Sequence, residues 1–154
     1  MSYSKQIANL VMSCLNNQEL NYDFNQEDGI IRFSISNAGK LKNIRFIIGI
    51  WDSDYVVFAS IDLNADKDVQ AEMCDFMTRV NYAIKFGNFE MDHRDGEIRF
   101  RVAVDCDDCT PSEEVIKNSL YIPLMMYRDY GDALLSVLFG MKTGAEAFED
   151  ARGE

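Results

Sequence analysis

Apolar and polar residues along this chain follow two periods, and the switches between them mark its elements. From about Ser4 to Leu15, the residues Ile7, Leu10, Val11, Cys14 and Leu15 recur at helical spacing and predict an amphipathic helix. The period then drops to two. Tyr22 and Phe24 alternate with Asn21, Asp23 and Asn25, a polar turn follows at Asp28-Gly29, and Ile31, Phe33 and Ile35 alternate with Arg32, Ser34 and Ser36. Two such runs joined by a glycine-containing turn predict a hairpin. After a turn at Asn37-Ala38-Gly39-Lys40, a third strand sets Ile44, Phe46, Ile48 and Ile50 on one face and Arg45, Ile47, Gly49 and Trp51 on the other. Asp52-Ser53-Asp54 leads into a fourth, where Tyr55, Val57, Ala59 and Ile61 alternate with Val56, Phe58 and Ser60. Both strands are largely apolar on both faces. Their outer side is therefore expected to be covered, by the end of the chain or by a second subunit.

A second helix is predicted from near Asp66, with Val69, Met73, Phe76, Met77, Val80 and Ile84 forming the clearest apolar stripe and Gly87 standing where a helix would end. Another hairpin follows. Phe89 and Met91 precede a turn at His93-Arg94-Asp95-Gly96, and Ile98, Phe100, Val102 and Val104 form its second arm. Thr110-Pro111-Ser112-Glu113 predicts a helix start with Thr110 at the N-cap, and Pro123 is expected to kink or interrupt that helix. Apolar positions Leu134, Leu135, Val137 and Leu138 carry it on to Gly140, and Thr143-Gly144-Ala145-Glu146 reads as a capping box opening a short last helix. The predicted order is α-β-β-β-β-α-β-β-α-α, a single α+β domain over residues 1–154 with an antiparallel sheet and helices on one side.

The two hairpins resemble each other. Residues 21–35 align without gaps on residues 88–102, and Asp28-Gly29-Ile30-Ile31-Arg32-Phe33 matches Asp95-Gly96-Glu97-Ile98-Arg99-Phe100. Each copy follows an amphipathic helix, which argues for a structural pseudo-repeat.

Charge narrows the function. The 15 Lys+Arg against 26 Asp+Glu give a formal net charge of −11 over 154 residues. Such a surface repels phosphate backbones and anionic membranes, so neither nucleic acid nor a membrane is an expected partner. No run of apolar residues is long enough for a membrane span, and residues 1–6 lack the charged region and apolar run of a signal peptide. The four cysteines, at 14, 74, 106 and 109, form no disulfide framework, which points to the reducing cytoplasm.

Candidate chemistry is sparse. Cys106-Asp107-Asp108-Cys109 is a lone CxxC supplying two of the four ligands a structural zinc needs, and its aspartates would raise thiol pKa values. Asp62-x-Asn64-x-Asp66 opens like a calcium loop, but Lys67 replaces the turn glycine and Met73 the bidentate glutamate; these residues are expected to cap the second helix instead. His93, the single histidine, falls in a predicted turn with no nucleophile beside it in sequence. Phosphate-loop, dinucleotide and serine-hydrolase motifs are absent from the sequence. No catalytic residue, cofactor or metal is therefore assigned.

Asn81, the run Gly87-Asn88-Phe89-Glu90-Met91-Asp92, the run Asp95-Gly96-Glu97-Ile98-Arg99-Phe100-Arg101, the tail Asp132 to Gly140 and Ala147 resemble the YbjN family of bacterial sensory-transduction regulators. The resemblance covers most of the chain. It implies a fold similar to type III secretion chaperones, which are small, acidic and usually homodimeric, and it brings no catalytic residues. The expectation is a non-catalytic protein-binding module, chaperone-like or regulatory. It would be a homodimer with an unidentified protein partner and would use Ile47, Trp51, Tyr55 and Phe58 as contacts. The alternatives are a dedicated type III-like secretion chaperone, or a small metal or redox protein using Cys106 and Cys109.

Overall fold

The alternating segments assemble into a six-stranded antiparallel sheet in the computed structural model, which describes residues 2–36 and 39–153. In chain order the elements are α1 (Lys5–Asn17), β1 (Asp23–Asn25), β2 (Ile30–Ser36), β3 (Asn43–Ile50), β4 (Asp54–Asn64), α2 (Gln70–Ala83), β5 (Asn88–Met91), β6 (Glu97–Asp105), α3 (Glu113–Leu138) and α4 (Gly144–Ala151). This is the predicted order, with one 3-10 turn at Gly39–Leu41 added. Asn37 and Ala38 of the predicted turn lie outside the described residues. Strand order across the sheet is β1-β2-β3-β4-β6-β5.

The two hairpins form opposite ends of that sheet, and their registers bear out the repeat. Asp23 pairs with Arg32 and Phe24 with Ile31, as Glu90 pairs with Arg99 and Met91 with Ile98. These are the residues that the gap-free alignment equates. Each turn glycine has positive φ, +67° at Gly29 and +78° at Gly96. Each also accepts from an adjacent segment: the Ile50 amide donates to the Gly29 carbonyl at 3.0 Å and the Ala65 amide to the Gly96 carbonyl at 2.8 Å. The hairpins are thus tied at their tips as well as along their strands.

All four helices lie on the face of β3 and β4 that carries Ile44, Phe46, Ile48, Ile50, Tyr55, Val57, Ala59 and Ile61, every one of them buried. The long helix α3 crosses this face and is fixed to β4 by two phenols. Tyr55 and Ser119 share a buried hydrogen bond of 2.9 Å, and the Tyr127 hydroxyl donates to the Ala59 carbonyl at 2.7 Å. Pro123 does not interrupt α3 as predicted. It is buried inside a continuous helix, where Ile116, Leu120 and Tyr127 on the same side meet the core. Burying side chains before and after the proline outweighs its local cost of about 3 kcal/mol.

Helix starts differ from the sequence expectation in two places. The N-cap of α3 is Ser112, whose hydroxyl accepts from the Val115 amide, rather than Thr110. Helix α2 begins at Gln70 without a side-chain cap. Asp62 instead pairs with Arg45, and the Asn64 amide donates to the Asp95 carbonyl. Both residues belong to the end of β4, whose pairing with β6 continues to Asn64. The capping box at Thr143 and Glu146 forms as predicted.

Two outcomes follow from this framework. A methyl group at Gly96 would sit 2.0 Å from the Ala65 carbonyl oxygen, whereas Gly140, also at positive φ, has nothing within 4 Å. Gly140→Ala should cost about 1 kcal/mol, the left-handed penalty alone. Gly96→Ala should cost at least about 2 kcal/mol more, because backbone must move; equal urea midpoints would refute the tie at the turn. Burial pushes the Tyr55 phenol from its ordinary 10.0 up to about 12. The folded state then holds a proton that the unfolded state releases, so stability is complete below pH 10 and lost as pH rises toward 12. That loss should reach about 2–3 kcal/mol, and Tyr55→Phe should flatten urea midpoints measured from pH 9 to 11.5.

Candidate functional site: the outer sheet face

Strand alternation leaves the second face of the sheet without a helix. β3 points Arg45, Ile47 and Gly49 outward, and β4 points Val56, Phe58 and Ser60 outward. Register lines these up with neighbours on β2 and β6. Arg32 stands opposite Ile47, Ile47 opposite Phe58, and Phe58 opposite Arg101, giving the cross-strand row Arg32–Ile47–Phe58–Arg101. The next row runs Ser34–Arg45–Ser60–Arg99. On its other side, Gly49 pairs with Val56 and Val56 with Ala103.

Trp51 closes this side of the row. Its indole folds back over Gly49, where a methyl group would lie 2.7 Å from the ring. Glycine at 49 is therefore what allows the tryptophan to lie on the sheet. Ile47 and Trp51 remain 39% and 38% exposed, and Phe58 is half-buried because the Arg99 guanidinium stacks 4.2 Å above its ring. A shallow depression of about 330 Å³ runs along Asp23, Arg32, Ser34, Arg45 and Ile47.

Three of the four arginines on this face meet a carboxylate. Arg45 meets Asp62 at 2.8 Å, Arg99 is bound to Glu90, and Arg101 reaches the same glutamate at 3.8 Å. Exposed Arg32 makes no ion pair among the described residues. Each guanidinium has five donors, so a single carboxylate leaves most of them free for another acceptor.

The structure separates the four sequence-predicted contact residues. Ile47, Trp51 and Phe58 share the outer face. Tyr55 does not: it is fully buried on the inner face, bonded to Ser119 beneath α3. Its parity along β4, in step with Val57 and Ala59, already places it inward, and closeness to Trp51 in sequence is no guide to the face. The expected cover is not supplied by the last helix either, since α4 packs on α2 and α3.

Neither free edge of the sheet matches this face as a docking surface. β1 has only three residues. On β5 the Asn81 side chain accepts from the Phe89 amide at 2.8 Å and donates to the Phe89 carbonyl at 2.9 Å. One amide thereby stands in for an added strand and blunts the edge.

The remaining candidates stay dispersed. Cys106 is half-buried and Cys109 exposed on the loop before α3. Burial, followed by Asp105 and Asp54, pushes the Cys106 thiol up, which disfavours the thiolate. Among the described residues no three His, Cys, Asp or Glu side chains converge to hold a metal ion. The tertiary structure does bring Cys74 Sγ to 3.9 Å from His93 Nε2, a proximity the sequence did not signal. Asp92 beside it is engaged by Arg94, and no third group among the described residues orients the imidazole. On the helical side, Tyr82 is 95% and Phe86 59% exposed near a cleft of about 640 Å³ lined by Tyr130, Phe148 and Arg152. Tyr82 falls off the apolar stripe of α2, and Phe86 lies in the turn beyond the helix end.

Comparison with known proteins agrees with the fold. Residues 8–136 match the YbjN family profile, described as "Putative bacterial sensory transduction regulator". No curated protein sequence matches the chain. A chain of the crystal structure of the ExsC–ExsE complex superposes with a TM-score of 0.57 at 10% identity, covering 83% of this chain and 95% of that one. The likeness shows that the two chains share an α+β fold. No helix among the described residues is long and apolar enough to cross a membrane.

Thiol reactivity checks the CxxC loop. In reduced protein at pH 8, Cys109 should react first with a disulfide reagent and Cys106 should lag behind it, with Cys109→Ser abolishing the fast phase. Stoichiometric zinc with both thiols protected would contradict this arrangement.

Proposed function

This chain belongs to the YbjN family, and from that premise we propose that it is a non-catalytic protein-binding module, chaperone-like or regulatory, working in the cytoplasm. One observation carries the reading. A six-stranded sheet covered by helices on one face leaves Ile47 and Trp51 exposed and Phe58 half-buried on the other. An apolar sheet face normally acquires a second layer, and when the chain does not provide one a partner does. The four free thiols accord with a reducing compartment.

A homodimer belongs to the same proposal, assigned to a different surface. Tyr82 near the end of α2 and Phe86 in the turn after it are exposed on the helical side, where a second copy would cover them without occupying the sheet. The fold shared with the ExsC–ExsE structure favours the form of this reading in which the partner is a client protein held by a dedicated secretion chaperone.

Ile47→Asp tests the docking face, since position 47 points to solvent and the substitution leaves the core untouched. Native-host pull-downs should recover a defined partner with wild-type protein and lose it with the variant at unchanged Tm. Equal recovery would remove the outer face from the proposal. Light scattering at tens of micromolar should give twice the 17.6 kDa chain mass, reduced toward monomer by Tyr82→Glu; a strict wild-type monomer would dismiss the homodimer.

A further inference from the structure

The row Arg32–Ile47–Phe58–Arg101 has a chemistry of its own: two apolar side chains flanked at each end by a guanidinium. Resting on the outer face as the partner contact, we infer that the partner presents an extended segment of pattern acidic-x-apolar-x-acidic, laid across the strands. Its apolar side chain sits on Ile47 and Phe58, and its two carboxylates reach Arg32 and Arg101.

Spacing leads to this pattern. Arg32 and Arg101 are separated by three strand-to-strand steps, from β2 through β3 and β4 to β6. At about 4.8 Å per step the row is about 14 Å long. An extended chain advances about 3.4 Å per residue, so four residues cover the same distance with every second side chain facing down. Positions i and i+4 then fall on the arginines and position i+2 on the apolar centre.

The position of charge, not its sum, supports the pattern. Four arginines (Arg32, Arg45, Arg99 and Arg101) and four carboxylates (Asp23, Asp62, Glu90 and Glu97) share this face, and the two ends of the apolar row are both arginine. Arg32 has no ion pair among the described residues, and Arg101 holds its glutamate only at 3.8 Å. A second copy of this chain fits the row poorly, because superposing two such rows about a twofold axis sets arginine against arginine at both ends. A continuous polyanion fits no better. Asp23, Asp62, Glu90 and Glu97 are interleaved on the same face and would repel a regular phosphate chain along its length, whereas two carboxylates four residues apart meet only the row's two end arginines.

The single tryptophan of the chain, lying over Gly49 beside the row, provides the readout. A peptide with the core Glu-Ser-Leu-Ser-Glu, flanked by glycines and capped at both ends, should change Trp51 fluorescence saturably below 1 mM. The Lys-Ser-Leu-Ser-Lys and Glu-Ser-Ser-Ser-Glu peptides should each bind at least tenfold more weakly. The double variant Arg32→Glu/Arg101→Glu should reverse the preference toward the lysine peptide, and Arg32→Gln/Arg101→Gln should abolish discrimination between the two. Circular dichroism identifies either variant if it fails to fold, and the wild-type peptide series stands without them. Equal binding of acidic and lysine peptides, or no binding of the acidic peptide at 1 mM, would overturn the inferred pattern. If the peptides fail but Ile47→Asp still releases the native partner, the docking face stands and this pattern falls. If Ile47→Asp releases nothing, the docking face itself fails.

Discussion

Fastening α3 to β4 decides which side of this sheet becomes the core. Tyr55 reaches Ser119 near the front of the helix, and Tyr127 reaches the Ala59 carbonyl two turns later. These are the hydroxyls of two buried aromatic side chains, and each would be costly to leave without a partner. The bonds therefore specify where the helix lies as well as holding it there. With α3 so placed, α1, α2 and α4 pack around it on the same side. Everything on the opposite face follows by alternation. Ile47 and Phe58 face outward because Phe46 and Val57 face the core.

The repeated hairpins put that bare face in a frame. Each sets an acid opposite an arginine in strand register on the outer surface, Asp23 across from Arg32 at one end and Glu90 across from Arg99 at the other, and only the second forms an ion pair. Each also places a short strand at the sheet edge, and Asn81 closes the longer of the two. Strand addition at the margin is thereby discouraged while the centre stays open. The pseudo-repeat is framework, and the residues with the most to offer a partner lie between its copies, on β3 and β4. Arginine is suited to the flanks of such a centre because its planar fork accommodates carboxylates and also stacks on aromatic rings, as Arg99 does on Phe58.

Several features of the site were legible before any fold was known. Period-two alternation alone assigns Ile47, Gly49 and Trp51 to one face of β3 and Phe58 to the matching face of β4. Tyr55 shows how that inference fails when proximity in sequence replaces parity. The arginine row was not legible, because it depends on which residue of β2 faces which residue of β3, and on β6 rather than β5 lying next to β4. Such pairings are set by long-range packing. The meeting of Cys74 and His93 and the exposure of Tyr82 likewise depend on where α2 settles against its neighbours.

Sequence by itself thus determined the elements, their order, the repeat and the two faces of each strand, since these follow from local periodicity and turn chemistry. It also determined the formal net charge of −11. Tertiary structure alone decided which face is covered, that Pro123 remains inside a continuous helix, and that Arg32 and Arg101 bracket Ile47 and Phe58. The physical reason is common to all three. Each results from side chains distant in sequence competing for one surface, and burial energy summed over that surface outweighs what any short segment prefers on its own.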